Sequence, residues 1–328
     1  MKTLITGATG FLGTHLVKTL LNEGREVRCL VRRTSSKSSL ERLGVELVCG
    51  DLLDKDSLKR SLKGASVIYH LGGEVYSSNV EDYYKTNVQG TQNLLETCLD
   101  NGAGKFLFFS SIAAMGPNRD KKKPLTEDDI CRPISPYGIS KNECEKFIVY
   151  FSQKYKLPSL IIRPPVVYGP GLNGSSRFLG LLRIIRKGKV IIPGKGDHRI
   201  SLCYIANLIK GTLLAERKVD LTVRRYILTD KRSYAYNEII DTIMKETGVE
   251  PSKIYVPQSV IRGVIGCMQF ARKAFRLSPS VSLARLKEGV CSWDCDISKA
   301  RKDLGYNPET GIEEGFKTTI RWCQENNL

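Results

Sequence analysis

The 328-residue sequence predicts an α/β protein: a doubly wound parallel sheet followed by a smaller C-terminal substrate-binding region. Three observations predict it. Strand-like and helical patterns alternate through the first half, which implies a parallel sheet covered by helices on both faces. The chain opens on the apolar pair Leu4-Ile5 and runs directly into Thr6-Gly-Ala-Thr-Gly-Phe-Leu-Gly13, a strand–turn–helix junction with glycines spaced G-x2-G-x2-G. After Arg163 the texture changes to Pro- and Gly-rich segments, 164–174 and 187–196, that read as loops.

The first strand, residues 3–5, delivers the glycine loop. Gly7 permits a tight turn, Gly10 lets backbone approach a phosphate, and Gly13 lets the following helix (Leu12, Leu16, Leu20) pack close to the strand. That helix N-terminus offers free N–H groups to an anion, so Gly7, Thr9, Gly10, Phe11, Leu12 and Gly13 are candidate contacts to a dinucleotide pyrophosphate. Strand two, Glu26–Val31, ends on Arg32-Arg33. Strand three, 45–49, runs into Gly50-Asp51-Leu52, and strand four, 66–69, into His70-Leu71-Gly72-Gly73. A helix over 83–99 carries Asn87. Strand five, 106–109, ends on Ser110-Ser111, at the sheet edge where ligands of such folds bind. A helix over 137–155 then places Tyr137 and Lys141 at i and i+4 on one face, where an ammonium favours the phenolate and brings the tyrosine toward neutrality as an acid/base. Strand six covers 160–162. A helix over 205–215 and a strand over 225–228 are expected to return to the sheet, with shorter helices and irregular connections from about Tyr234. This makes 1–168 the dinucleotide-binding domain, with 201–230 rejoining it, and 169–328 mainly the substrate region.

Composition sets the outer limits. Hydrophobic residues at 41% and charged residues at 26% are ordinary for a globular protein. No apolar run is long enough to span a bilayer and no secretory pattern precedes the first strand, so a cytoplasmic location is expected. The ten cysteines form no C-x2-C pair and read as reduced thiols, with Cys29 and Cys49 inside buried strands; with three scattered histidines they offer no metal site. Against 51 Lys and Arg stand 34 Asp and Glu, a net charge of +17. The local excess is seven Lys/Arg against Asp197 over 177–199. No aromatic–basic interleaving accompanies it, so a solvated basic surface is expected rather than a nucleic-acid partner, with attraction of an anionic substrate second.

The ordered set of glycine loop, strand-end serine and Tyr137-Gly-Ile-Ser-Lys141 resembles the extended short-chain dehydrogenase/reductase family, also described as NAD-dependent epimerases/dehydratases, over nearly the whole chain. The resemblance implies a Rossmann sheet and a homodimer formed through the helices over 83–99 and 137–155. Asp51 resembles the family acid that contacts adenine, Leu52, Leu71 and Gly72 the segments that line the cofactor, and Asn87-Val-Gln-Gly-Thr91 the fifth-helix signature. Arg163-Pro-Pro-Val-Val-Tyr-Gly-Pro-Gly171 and Asp296 to Trp322 match later family segments. Carried onto this chain, the resemblance makes Tyr137 the general acid/base, Lys141 its partner and a ligand of the nicotinamide ribose, and Ser111 the serine, because it stands five residues before Gly116 as the family serine does.

Where NAD-preferring relatives carry an acid after strand two, this chain has Val31 followed by Arg32 and Arg33. A guanidinium there pairs with the 2′-phosphate, so NADP(H) is favoured over NAD(H), with Arg32 as the contact; alternatively these arginines merely open a polar loop. The acid pair of sugar-nucleotide dehydratases is replaced by Ile112 and Ala113, the epimerase Asn by Val166, and the tyrosine before Gly116 by Met115. Ser110-Ser-Ile-Ala-Ala-Met-Gly-Pro-Asn118 and Ser176-Arg-Phe-Leu179 instead resemble the 3β-hydroxysteroid dehydrogenase and dihydroflavonol reductase branch. Together these imply an NADP(H)-dependent carbonyl reductase or alcohol dehydrogenase acting on a mainly apolar small molecule. A nucleotide-sugar epimerase with bound NAD is the alternative, and a non-catalytic nucleotide-binding or scaffold protein a third. Val260, Val264, Met268, Ala271 and Phe275 share one helical face, with Arg262, Arg272, Lys273 and Arg276 elsewhere. That stripe reads first as the packing face of an ordinary amphipathic helix, and second as a cover over an apolar substrate or a peripheral membrane contact.

Overall fold

Seven parallel strands form the central sheet of the computed structural model, which describes residues 2–120, 122–172, 176–218, 220, 222–275 and 280–328. In chain order the strands are β1 (Lys2–Thr6), β2 (Glu26–Val31), β3 (Glu46–Cys49), β4 (Val67–His70), β5 (Lys105–Phe109), β6 (Ser159–Arg163), β7 (Val166–Tyr168), β8 (Lys189–Pro193), β9 (Arg199–Ile200), β10 (Leu202–Tyr204), β11 (Val223–Ile227), β12 (Tyr234–Ala235) and β13 (Ser252–Val256). The central order is β11-β6-β5-β4-β1-β2-β3. The direction in which successive strands are added reverses between β1 and β4, so the glycine loop leaves β1 at the topological switch point, where the crossovers diverge and a crevice opens.

Period-two alternation divides the strand side chains between two cores. Ile5, Cys29, Tyr69 and Leu107 pack on one face under the helices Phe11–Asn22 and Ile205–Glu216. Leu4, Leu30, Ile68, Phe106 and Phe108 pack on the other under Gly90–Asp100 and Pro136–Tyr155. A third core joins Tyr168, Phe178, Leu182, Ile240 and Phe316 beneath the C-terminal helices.

Each expected sheet strand is present within two residues of its expected bounds, and β11 pairs with β6, returning the chain to the sheet. Several expectations are corrected. The segment 187–196 is not all loop, because Val190-Ile191-Ile192 sits in β8 paired with β13. The helix expected over 83–99 is a continuous helical run from Val80 to Asp100 whose Tyr83–Gln89 segment is π-helical. Such wide turns commonly mark functional sites, and this one carries Tyr83 and Asn87. Cys49 is exposed rather than buried, because β3 is an edge strand. The region after Tyr234 is more regular than expected, with a 17-residue helix at Gln258–Ala274. On that helix the expected packing stripe is turned outward: Ile265 is buried, while Val260, Val264, Met268 and Phe275 are exposed. Arg276 and the side chains of Arg272 and Lys273, named with that stripe, lie outside what the structure describes. No helix among the described residues is long and apolar enough to cross a membrane.

Candidate active site

One continuous cleft of about 1060 Å³ runs from the glycine loop past Ser111, Tyr137 and Lys141 into the C-terminal region. Gly7 has φ +73°, and a Cβ there would come within 2.6 Å of the Gly72 nitrogen. A Cβ on Gly13 would come within 2.3 Å of the Gly7 carbonyl oxygen. Both glycines are therefore demanded by the protein's own backbone. Gly10 differs: it is exposed on the cleft, its φ is −79°, and a Cβ would meet only the Gly7 carbonyl, at 3.3 Å. Internal packing does not require a glycine there. The helix Phe11–Asn22 that starts at this point has no side-chain cap and no acid in its first turn, leaving its N–H groups available to an anion. Thr9, Phe11 and Leu12 line the same end of the cleft.

Behind the loop, a buried polar chain fixes the segment after β4. Gly72 N–H donates to Thr6 Oγ1 (3.1 Å), and Thr6 Oγ1 lies 2.7 Å from His70 Nδ1. On its other side His70 Nε2 lies 2.9 Å from Thr91 Oγ1, so the imidazole bridges two hydroxyls. Burial, with a smaller contribution from the Lys141 charge, brings the His70 pKa down to about 3, so this histidine is a neutral strut.

Leu71, Gly72, Asp51, Leu52 and Arg32 all line the cleft, as the sequence suggested. Arg32 is exposed and has no carboxylate partner among the described residues, whereas Arg33 is absent from the lining. Asp51 accepts from Leu53 N–H (2.9 Å), which orients its carboxylate at the lip. Asn87 is placed differently. It is buried behind the cleft wall, accepting from Glu74 N–H (2.6 Å) and donating to the Glu74 carbonyl (3.0 Å) and to Ser140 Oγ (2.9 Å). Its amide is fully engaged by protein and ties the loop after β4 to the helix Pro136–Tyr155.

The chemistry-bearing groups converge at the end of β5. Ser135 caps that helix by accepting from Gly138 N–H, and Pro136 sits in its first turn, both favourable for a helix start. Lys141 is buried and donates to the Phe109 carbonyl at 2.8 Å, with its ammonium 4.6 Å from the Phe108 ring centroid. Desolvation draws its pKa below the usual lysine value. Ser111 Oγ accepts from Ala113 N–H (3.1 Å) and lines the cleft beside Tyr137. Ser110 is instead buried, its hydroxyl donating to Glu145 Oε1 at 2.5 Å, where Arg163 forms a forked pair with the same carboxylate. The serine at the reactive face is thus Ser111. The expectation for the phenol is overturned: burial first, and the nearby Tyr76 second, push Tyr137 above the usual tyrosine value. Lys141 does not offset this, because its Nζ faces the Phe109 carbonyl and lies 6.0 Å from the Tyr137 ring centroid.

Beyond Tyr137 the walls are largely apolar, with Val166, Leu181, Ile184, Tyr236 and Trp293 among them. Of the seven basic residues over 177–199, only Arg177 lines the cleft, and it is paired with Glu288. Arg285 packs its guanidinium 5.1 Å from the Tyr76 ring centroid and donates to Tyr83 Oη at 3.3 Å. Sequence reading missed Tyr76, Arg285 and Glu288, which sit in no motif and reach the site only through tertiary folding. Glu145 was legible in principle, since 137, 141 and 145 share one helical face.

A profile of the NAD dependent epimerase/dehydratase family matches residues 3–227. A UDP-glucose 4-epimerase of Vibrio cholerae is 28% identical over 99% of this chain and 96% of its own length. A ceramide reductase of Caulobacter vibrioides is 28% identical over 97% of this chain and 93% of its own. A decarboxylating sterol-4-alpha-carboxylate 3-dehydrogenase of Dictyostelium discoideum is 27% identical over 95% and 98%. The crystal structure of UDP-glucose 4-epimerase from Thermotoga maritima with UDP-glucose superposes with a TM-score of 0.82 at 26% identity, covering 100% of both chains.

Proposed function

This chain belongs to the NAD-dependent epimerase/dehydratase family of extended short-chain dehydrogenases/reductases, and on that premise we propose that it is an NADP(H)-dependent oxidoreductase that reduces a carbonyl on a mainly apolar small molecule. The observation that carries the reading is the single cleft joining an uncapped, glycine-lined helix N-terminus to Ser111, Tyr137 and Lys141 and ending in apolar walls. The open side of Gly10 and the free N–H groups fit a pyrophosphate, Asp51 and Leu52 fit the adenosine end, and Arg32 fits a 2′-phosphate.

A bound nicotinamide supplies the hydride-transfer capacity. The protein's own groups do the rest. Ser111 and Tyr137 present two O–H donors to one oxygen, polarising a carbonyl placed between them. Tyr137 then gives its proton to that oxygen. The upward shift of the phenol suits this direction, because the free protein holds Tyr137 protonated at neutral pH, ready to act as an acid. Lys141, fixed by the Phe109 carbonyl 6.0 Å from the Tyr137 ring centroid, lines the same cleft and would hold the nicotinamide ribose.

Epimerisation of a nucleotide sugar is the second reading, favoured by two guanidiniums in the C-terminal half of the cleft, Arg177 and Arg285, and by the epimerases among the relatives. The pairing of Arg177 with Glu288, and the position of the other six basic residues outside the cleft, weigh against it. The test is incubation with NADPH and a panel of apolar ketones and aldehydes beside UDP-glucose and UDP-galactose. Net NADPH consumption supports the reductase, sugar interconversion without net cofactor change supports the epimerase, and cofactor binding with neither reaction supports a non-catalytic protein. A homodimer is proposed through the outer faces of Gly90–Asp100 and Pro136–Tyr155, where Tyr150 and Tyr155 are exposed beside Leu99 and Phe147; light scattering of the purified chain tests it.

A further inference from the structure

The helix Gln258–Ala274 carries an apolar face that the fold does not use. Of its residues, Ile265 is buried, and the side opposite it is open. At about 100° per residue, Val260, Gly263, Val264, Cys267, Met268, Phe270, Ala271 and Ala274 fall within one sector of roughly 160° that contains no charged residue. Val260, Val264 and Met268 are about half exposed, and Phe270 and Phe275 are 76% exposed. On the strands before this helix, Ile191 of β8 and Ile254 and Tyr255 of β13 are exposed as well. Among its described side chains this helix buries one residue and leaves most of its large apolar ones exposed, a pattern that marks an interaction surface.

Charge identifies the partner. Residues 251–287 contain seven Lys and Arg and no Asp or Glu; Lys253 is paired with Asp241 and Arg285 faces the cleft, which leaves the charges of Arg262, Arg272, Lys273, Arg276 and Lys287. A second copy of this chain docking face to face would bring two such basic segments together, at an electrostatic cost. An apolar sector inside a wholly basic segment of a chain with net charge +17 is complementary to an anionic lipid surface, where apolar side chains enter the acyl boundary and Lys and Arg meet headgroups. We infer that this face docks the protein peripherally on anionic membranes. The helix Val281–Gly289 packs against Gln258–Ala274 and contributes Val281, Arg285, Glu288 and Gly289 to the cleft wall, so one helix separates the docking helix from the C-terminal half of the cleft. Combined with the proposed apolar-carbonyl reading, on which this step rests, the placement makes the substrate an amphiphile held in the bilayer.

The test is co-sedimentation of the full chain with vesicles of phosphatidylglycerol in phosphatidylcholine and with phosphatidylcholine alone, at low salt and at about 1 M salt, where the Debye length is about 3 Å. Binding is expected to the anionic vesicles, weakened by salt, and reduced at least about tenfold in a V264E/F270E double variant, since two apolar side chains lose their burial in lipid. The exposed positions predict an unchanged melting temperature and an unchanged NADPH affinity for that variant. No binding to anionic vesicles, binding indifferent to the double substitution, or a concentration-dependent self-association abolished by it would each overturn the inference. None of these readouts involves turnover, so failure of the lipid docking and failure of the reductase reading are seen separately. Once docking holds, a bilayer-dissolved ketone reduced no faster on anionic vesicles than in detergent would overturn the substrate step alone.

Discussion

Gly10 and Gly13 occupy the same loop for different physical reasons, and substituting each with alanine separates folding from ligand binding. In Gly13→Ala the new methyl meets three backbone atoms, the Gly7 carbonyl oxygen at 2.3 Å, Ala8 Cα at 2.6 Å and the Ala8 carbonyl carbon at 2.9 Å. Backbone cannot rotate away as a side chain can, so β1 and the helix must separate, at a cost of about 3 kcal/mol or more. In Gly10→Ala the methyl meets one oxygen at 3.3 Å in a backbone conformation open to any residue. The folding cost there is the loss of a good N-cap, within about 1 kcal/mol. The methyl nevertheless projects to where the pyrophosphate would lie. Overlap of that kind costs about 1–3 kcal/mol, which is a roughly tenfold to hundredfold loss of affinity. Urea denaturation followed by circular dichroism reads the first quantity, and calorimetric titration with NADPH reads the second. Gly13→Ala is expected to lose stability; Gly10→Ala is expected to keep it and lose cofactor binding. A Gly10→Ala protein that binds NADPH as tightly as the parent refutes the argument that this glycine serves a ligand.

Arg32→Ala should weaken NADPH by about tenfold while leaving NADH unchanged, since one charge-assisted contact to the 2′-phosphate is lost; equal effects on both cofactors would contradict the assignment. Asn87→Ala strips partners from the Glu74 N–H, the Glu74 carbonyl and Ser140, and should cost about 3 kcal/mol in urea denaturation, whereas a near-neutral change would show that this tie does not hold the loop. Asp230 gives a pH signature. It is fully buried, accepts from Tyr204 N–H, Asn207 and Tyr168, and burial raises its pKa to about 6 from 3.8. The folded protein therefore holds a proton that the unfolded chain releases, so this contribution to stability is full below about pH 4 and fades as pH rises through 6. Relative to Asp230→Asn, the parent should lose up to about 3 kcal/mol between about pH 4 and pH 7; parallel stability curves for the two proteins would rule this out.

The parts of this protein that were readable in advance are those governed by local rules. Strand periodicity placed β1 to β6 because fully buried parallel strands are continuous apolar runs, and the glycine loop and the Tyr137–Lys141 pair depend on spacing within a few residues. What was not readable depends on neighbours distant in sequence. The spacing to Gly116 singled out Ser111 over Ser110, but the physical reason lies in the Glu145–Arg163 pair that holds the Ser110 hydroxyl behind the wall. The direction of the Tyr137 shift is a matter of desolvation, which only the assembled cleft supplies. Glu288 and Arg285 reach the site from a helix more than 140 residues further along the chain. The stripe on Gln258–Ala274 was found by periodicity, yet periodicity cannot say whether an apolar face points in or out, and here it points out.

The central claim is that Tyr137 acts as the proton donor in an NADPH-dependent reduction. It is tested most directly by NADPH oxidation with a substrate found in the carbonyl panel, comparing the parent with Tyr137→Phe, which removes one oxygen from a half-buried ring and leaves the fold intact. Loss of a positioned acid predicts a fall in kcat of about 10²–10⁴-fold with NADPH affinity retained. A Tyr137→Phe protein that keeps full turnover contradicts the account.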